Sequence, residues 1–218
     1  MAIAYDYIVP NSTVTGKTWS HTCSGIDRCL IVNYASKSTF VPTAVTYNGI
    51  SMTLITSLQG TNTNICMWIL LAPPVGTFTV SVSVTGTTGS GSSMSFTGVR
   101  QSSQPDAYNS GHHSTINPVI TLSVVSANCW LVDGGYADTT NYSDNIYTQY
   151  SYSAFHDWQG YNAGAYELDS CASNGIVPTG TNTVTVSITT SGIDTGAIVI
   201  SLAPSVPVVN NGGFFAFF

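Results

Sequence analysis

Several stretches of this sequence alternate apolar and polar residues with a strict period of two. Phe78, Val80, Val82 and Val84 are separated by Thr and Ser. Ile120, Leu122 and Val124 keep the same period, as do Val184, Val186 and Ile188, and Ile198, Ile200 and Leu202. Successive side chains of an extended strand point to opposite faces, so this pattern describes strands with one face in a core. No segment carries a capped helical stripe. Asn48-Gly49 supplies the turn chemistry of a two-residue hairpin, joining Val45-Thr46-Tyr47 to Ile50-Ser51-Met52. That turn pairs Tyr47 with Ile50 and Val45 with Met52, all four on one face.

The pattern repeats within the chain. Val80, Val82 and Val84 match Val184, Val186 and Ile188 at a shift of 104, and Met94 and Phe96 match Ile198 and Ile200 at the same shift. Upstream, Cys29-Leu30-Ile31-Val32 matches Cys129-Trp130-Leu131-Val132 at a shift of 100. The expected fold is therefore all-β: an antiparallel β-sandwich, jelly-roll or Ig-like, over residues 1–205. Its two similar halves span about 17–100 and 118–204, one sheet from each being preferred over two stacked sandwiches. Residues 206–218 form a Phe-rich C-terminal tail. The polar stretch from Arg100 to Pro118 and the run Gly86–Ser92 read as loops. Residues Ala137 to Asn162 read as either a pair of short strands or a long aromatic loop.

Composition bears on what such a sandwich could do. Charged residues make up 6 % of the chain against 43 % hydrophobic, with a formal net charge of −6. The polar surface must come from Ser, Thr, Asn, Gln and Tyr. Such a surface loses little on packing against an identical neighbour, because few charges need desolvating. Four scattered basic residues, Lys17, Arg28, Lys37 and Arg100, cannot form a patch for nucleic acid or an anionic membrane. The start, Met-Ala-Ile-Ala-Tyr-Asp-Tyr, has no basic region and does not read as a signal peptide. Five cysteines leave a disulfide framework incomplete. Cys29, Cys66 and Cys129 sit in apolar runs as small hydrophobes, while Cys23 and Cys29 flank a turn that a bridge could span.

No catalytic motif, cofactor motif or zinc spacing occurs, so the expectation is a non-enzymatic protein with no catalytic, cofactor or metal residues. Glu167 and Asp169, with Asp157 nearby, form the strongest acid grouping and read as solvent-facing. His112-His113 and His156-Asp157 would make a metal site only if their loops met. Asp138, Asn141, Asp144 and Asn145 lack the Gly and Glu of a calcium loop. Two regions remain. The aromatic stretch with Tyr142, Tyr150, Trp158 and Tyr161 is a candidate glycan-binding surface, since aromatic faces stack on sugar rings; packing is the alternative. The tail residues Phe214, Phe215, Phe217 and Phe218 follow a hinge, Asn210-Asn211-Gly212-Gly213, and are candidate partner-docking residues; folding back onto the chain's own sandwich is the alternative.

The strings Thr18-Trp19-Ser20-His21-Thr22-Cys23, Val45–Ile55, Leu70-Leu71-Ala72-Pro73-Pro74-Val75-Gly76-Thr77, Phe96–Gln101 and Gln104-Pro105-Asp106-Ala107 resemble a group of β-sandwich proteins from tailed phages and uncultured bacteria. The likeness covers roughly residues 4–204 and leaves out the Phe-rich tail. It implies a virion or cell-surface protein and assigns no catalytic residue. The expected function is thus a structural protein of a phage-type virion, a head decoration or accessory tail component. Its partners would be copies of itself and a capsid or tail protein. The alternatives are a carbohydrate-binding adhesion module, with a surface glycan as partner, and an extracellular filament subunit. The expected location is the virion, with the cell surface as the alternative.

Overall fold

The computed structural model describes residues 1–12, 17–37, 40–61, 63–86, 89–113, 119–138, 146–150, 155–162, 166–173, 175–188 and 194–206. Every regular element among them is a strand. The first half contains β1 (Ala4–Ser12), β2 (Thr18–Cys23), β3 (Cys29–Lys37), β4 (Ala44–Tyr47), β5 (Ile50–Ser51), β6 (Thr53–Gln59), β7 (Thr63–Leu71), β8 (Gly76–Ser83) and β9 (Gly89–Thr97). The second contains β10 (Ala107–His113), β11 (Val119–Val124), β12 (Trp130–Asp138), β13 (Ile146–Tyr150), β14 (Phe155–Asn162), β15 (Tyr166–Ser173), β16 (Gly180–Ile188) and β17 (Thr195–Leu202).

The halves share one topology. The first forms a five-stranded sheet, β1-β9-β3-β7-β6, and a smaller sheet, β2-β8-β4-β5. The second forms β10-β17-β12-β15-β14 and β11-β16-β13. If β5 and β6 count as one strand that changes sheet at Met52, each half has eight strands. The large sheet then runs first-eighth-third-sixth-fifth in both. All pairings are antiparallel.

Each half thus supplies two sheets, not one, and three cores lie between four layers. Leu30, Val32, Tyr34, Val45, Tyr47 and Val80 fill the core between the first half's two sheets. Ile120, Leu122, Leu131, Ala197 and Val199 fill the corresponding core of the second. A central core joins the two five-stranded sheets: Ile31, Met67, Met94 and Phe96 meet Trp130, Val132, Ile198 and Ile200. There the rings of Phe96 and Trp130 lie edge to face at 6.2 Å. The central strands of the two middle layers are covered on both faces, so β17 is buried along its whole length.

This arrangement corrects the alignment of the repeat. Leu30 and Leu131 both face their own half's small sheet, and Ile31 and Val132 both face the central core. The correspondence is a shift of 101, one more than the match of Cys29 to Cys129 implies. A one-residue slip exchanges the two faces of a strand, and here both faces are apolar, so hydrophobicity alone does not fix the register. The shift of 104 holds for Met94, Phe96, Ile198 and Ile200, which all lie in the central core.

Two expected loops are strands. Gly89–Ser92 begins β9 and is buried. Its glycines make room for rings: a Cβ at Gly89 would sit 2.3 Å from the Tyr34 hydroxyl, and one at Gly91 would sit 2.5 Å from Trp19. Ala107–His113 is β10, a polar edge strand recruited by its ladder with β17. Its own sequence lacks the alternation that would announce it. Residues 146–150 and 155–162 form a pair of strands, in different sheets. The Asn48-Gly49 turn has φ of 51° and 74° and pairs Tyr47 with Ile50. Val45, Tyr47 and Met52 enter the core as expected, but Ile50, at the turn, is 45 % exposed.

Candidate functional site

The internal repeat extends to polar chemistry. Asp6 on β1 accepts from the Ser24 amide at 2.8 Å and from the Ser24 hydroxyl, just past β2. Asp106, just before β10, accepts from the Ser126 amide at 2.8 Å and the Ser126 hydroxyl at 2.6 Å, just past β11. The same carboxylate–serine clamp therefore ties the first strand to the second turn in both halves. Asp106 also meets the Arg100 guanidinium at 3.1 Å. Burial opposes ionisation of Asp106, but the Ser126 hydroxyl and amide, with Arg100, overcome it and hold the carboxyl below its usual range.

Buried polar groups also cross the central core. Asn33 on β3 donates to the Asp133 carbonyl at 3.2 Å and to the Ser170 hydroxyl at 3.0 Å, and Ser170 hydrogen-bonds Ser92. At one rim Asp194 accepts from the Thr63 amide at 3.2 Å and the Tyr136 hydroxyl at 3.4 Å, and pairs with His112. These bonds fix how one half sits on the other.

The feature with the character of a surface site lies at one end of the stack. Strand pairing places the β2–β3, β7–β8, β11–β12 and β15–β16 turns at that end, together with residues 1–3 and 203–206. From these segments project Met1, Ile26, Val75, Val125, Ile176 and Val206, each at least half exposed. Ile26 and Val125 occupy equivalent turns of the two halves, as do Val75 and Ile176. A groove of about 640 Å³ opens among them, lined in part by Met1, Ile3, Ile176, Ala203, Pro204 and Val206. Arg100, engaged by Asp106, and the Met1 ammonium are charged groups of its lining. Across its floor the Met1 amino group donates to the Ser205 carbonyl at 2.6 Å.

The other sequence-derived candidates fare differently. Phe214, Phe215, Phe217 and Phe218 lie outside the described residues, and so does Tyr142. Tyr150 falls on β13, opposite Val184; Trp158 and Tyr161 fall on β14, an edge strand, opposite Ser170 and Glu167. The side chains of these three also lie outside what is described. Of the loose calcium set, only Asp138 falls on a described element, the end of β12. His112 and His156 stand on β10 and β14, opposite edges of one sheet, four strand spacings or roughly 19 Å apart. The fold does not bring them together. His112 is on a strand and paired with Asp194, not a free loop histidine. Among the described residues no group of three metal-ligating side chains gathers.

Cys23, Cys29, Cys66 and Cys129 are buried free thiols. Cys23 and Cys29 are not bridged, because Cys23 packs in the first half's own core and Cys29 faces the central one. Burial pushes the Cys66 thiol up to about 12, and burial with the nearby Asp106 carboxylate does the same at Cys129. The apolar-tipped end escaped the sequence reading because its members come from turns far apart in the chain. Only their recurrence at matched points of the repeat signals it. No protein-family model, curated protein or solved structure matches this chain.

Proposed function

We propose that this chain is a non-enzymatic structural protein of a phage-type virion, a head decoration or accessory tail component. It assembles through its apolar-tipped end, against copies of itself and a capsid or tail protein. The observation that carries this reading is the convergence of six exposed aliphatic side chains from six segments on one end of a body with 6 % charged residues. Contiguous exposed apolar surface marks interaction sites, and three of the six, Met1, Ile176 and Val206, line one groove. The strand order of each half supports the reading by fold-level analogy. First-eighth-third-sixth is the order we assign to a jelly roll, an architecture used in capsid and lectin domains.

The test is mass spectrometry of density-banded phage particles made with the wild-type chain or with Val75→Asp/Val125→Asp. The chain should band with particles at a fixed ratio to the capsid protein, and the double variant should be depleted at least tenfold. Absence of the wild-type chain from banded particles refutes the assignment. Both substituted positions are exposed, so folding should survive the change.

A further inference from the structure

We infer that the central faces of the two halves form a two-fold pairing surface that accepts an unlike half and rejects a like one. The chain is then a covalently joined dimer whose halves select each other.

The packing between the halves is reciprocal. By their places in the two large sheets, β1 corresponds to β10, β3 to β12, β6 to β14, β7 to β15 and β9 to β17. β7 packs on β12, and β15 on β3. β9 packs on β15, and β17 on β7. β1 meets β14, and β10 meets β6; β9 meets β14, and β17 meets β6. Contacts that return in exchanged form are those of an isologous, two-fold interface. Residues beside such an axis meet their own equivalents. Asn33 and Gly134 do so. They correspond at the shift of 101, which also relates two turn residues with positive φ, Asp27 at 50° and Asn128 at 61°. A Cβ at Gly134 would fall 2.5 Å from Asn33 Cγ.

The two faces differ in size at matched positions. Asn33 stands against Gly134, while Trp130 and Tyr136 stand where the first half has Cys29 and Ala35, all four in the central core. One half is large where the other is small. Two first halves on this axis would set Asn33 against Asn33, where the space beside one Asn33 does not admit even a Cβ. Two second halves would crowd the core with a second Trp130 and a second Tyr136 ring. They would also leave Gly134 facing Gly134 and strip the Ser170 hydroxyl of the Asn33 amide, which donates to it at 3.0 Å. Overfilled and emptied sites are both destabilising, so each like pair is penalised and the unlike pair is not. The partner this surface fits is a half of the same topology and opposite type. When many copies fold side by side, the selection works against like-with-like pairing between chains.

The intact chain tests the axis. Urea unfolding followed by tryptophan fluorescence compares Gly134→Asn with the exchange Asn33→Gly/Gly134→Asn. Gly134→Asn should lower the folding equilibrium constant about a hundredfold. The exchange moves the same side chain across the axis and should regain about tenfold. An exchange no more stable than Gly134→Asn would overturn the proposal. The selection is tested on the full chain carrying a protease site inserted after Ser102, an exposed position between β9 and β10. Cut without denaturant, the two pieces should stay together in native mass spectrometry. After unfolding in urea and dilution, unlike pairs should exceed like pairs about tenfold, whereas random pairing gives equal amounts. Asn33→Gly removes the side chain on which two first halves collide, and should raise first–first pairs about fivefold. Pieces that part on cutting, like pairs as abundant as unlike ones, or first–first pairs unmoved by Asn33→Gly would each overturn the proposal.

Discussion

Lowering the pH from about 7.5 to about 5 should cost the folded chain about 2 kcal/mol through His21 alone. His21 is fully buried on β2. The Trp19 indole N–H donates to the Ser93 hydroxyl at 2.8 Å, which leaves that hydroxyl to donate to His21 Nδ1 at 2.7 Å. The neutral ring then carries its hydrogen on Nε2, which has no hydrogen-bond partner. Tyr7 and Tyr47 pack edge-on against the ring at 5.4 and 6.3 Å. A proton added to Nδ1 would turn an acceptor into a donor facing a hydroxyl that already accepts from Trp19. Burial accordingly lowers the His21 pKa from 6.5 to about 4, against a smaller opposing pull from Asp6. The sign follows from linkage. Above the unfolded value both states hold neutral histidine and nothing changes. Between 6.5 and about 4 the unfolded chain takes up a proton that the folded chain refuses, so stability falls as pH falls. At about 1.4 kcal/mol per pH unit the full loss is roughly 3–4 kcal/mol, somewhat more than half of it spent by about pH 5. Urea unfolding followed by tryptophan fluorescence measures it, with His21→Gln as the comparison. The variant will be less stable throughout, but its stability should change by less than half as much over this pH window. Equal losses in the two proteins would refute the reasoning.

Asp106→Ala leaves the Ser126 amide, the Ser126 hydroxyl and Arg100 without their acceptor and should cost about 1–3 kcal/mol in urea unfolding. Because this carboxyl is held below its usual range, its contribution is lost as pH falls through the folded value, a second and more acidic step than that of His21. Gly134→Ala places a Cβ 2.5 Å from Asn33 Cγ and should destabilise by about 1–3 kcal/mol; adding Asn33→Ala should recover part of that by double-mutant cycle. A fragment ending at Gln101 bares Ile31, Ile65, Met67, Ile69, Met94 and Phe96. At about 1.5–3 kcal/mol each that loss matches a whole domain's stability, so light scattering should show the fragment aggregating or forming new dimers. If β14 served as a glycan platform, a glycan array would give signal that Trp158→Ala abolishes; the structural role proposed here expects no signal from either protein.

The strands with one wet face were legible in the sequence; of those with two covered faces, β17 was legible through Ile198, Ile200 and Leu202, while the start of β9 reads as a loop. β8 and β11 alternate because each belongs to an outer sheet, so Val80 and Leu122 stand out against Thr and Ser. β3 and β9 belong to middle layers, where burial is continuous and no period survives; the glycines and serines of β9 then look like a linker. β10 is held by its neighbour's ladder with no hydrophobic code of its own. The repeat was visible, but its register was read one residue short because Leu30 and Ile31 are equally apolar on opposite faces. The Asp6–Ser24 and Asp106–Ser126 clamps lay in plain sight as Asp and Ser, and nothing in a single polar residue tells a clamp from a solvated turn.

The same layering explains why so few charges appear in the chain. A sandwich of two sheets has two wet faces, and charge on them costs nothing. Here the central strands of two of the four sheets have no wet face, and their buried positions must be apolar or small and hydrogen-bonded, as Asn33, Ser92 and Ser170 are. Charge could still have been spent on the outer sheets and the turns, yet the turn tips at one end carry Ile26, Val75, Val125 and Ile176. Middle layers account for the polar residues being small. They do not account for aliphatic tips, because a turn tip touches neither core. Nor does chance placement account for tips that recur at equivalent turns of both halves. Apolar tips at matched points of the two halves are therefore the feature of this fold on which the proposed role in assembly rests.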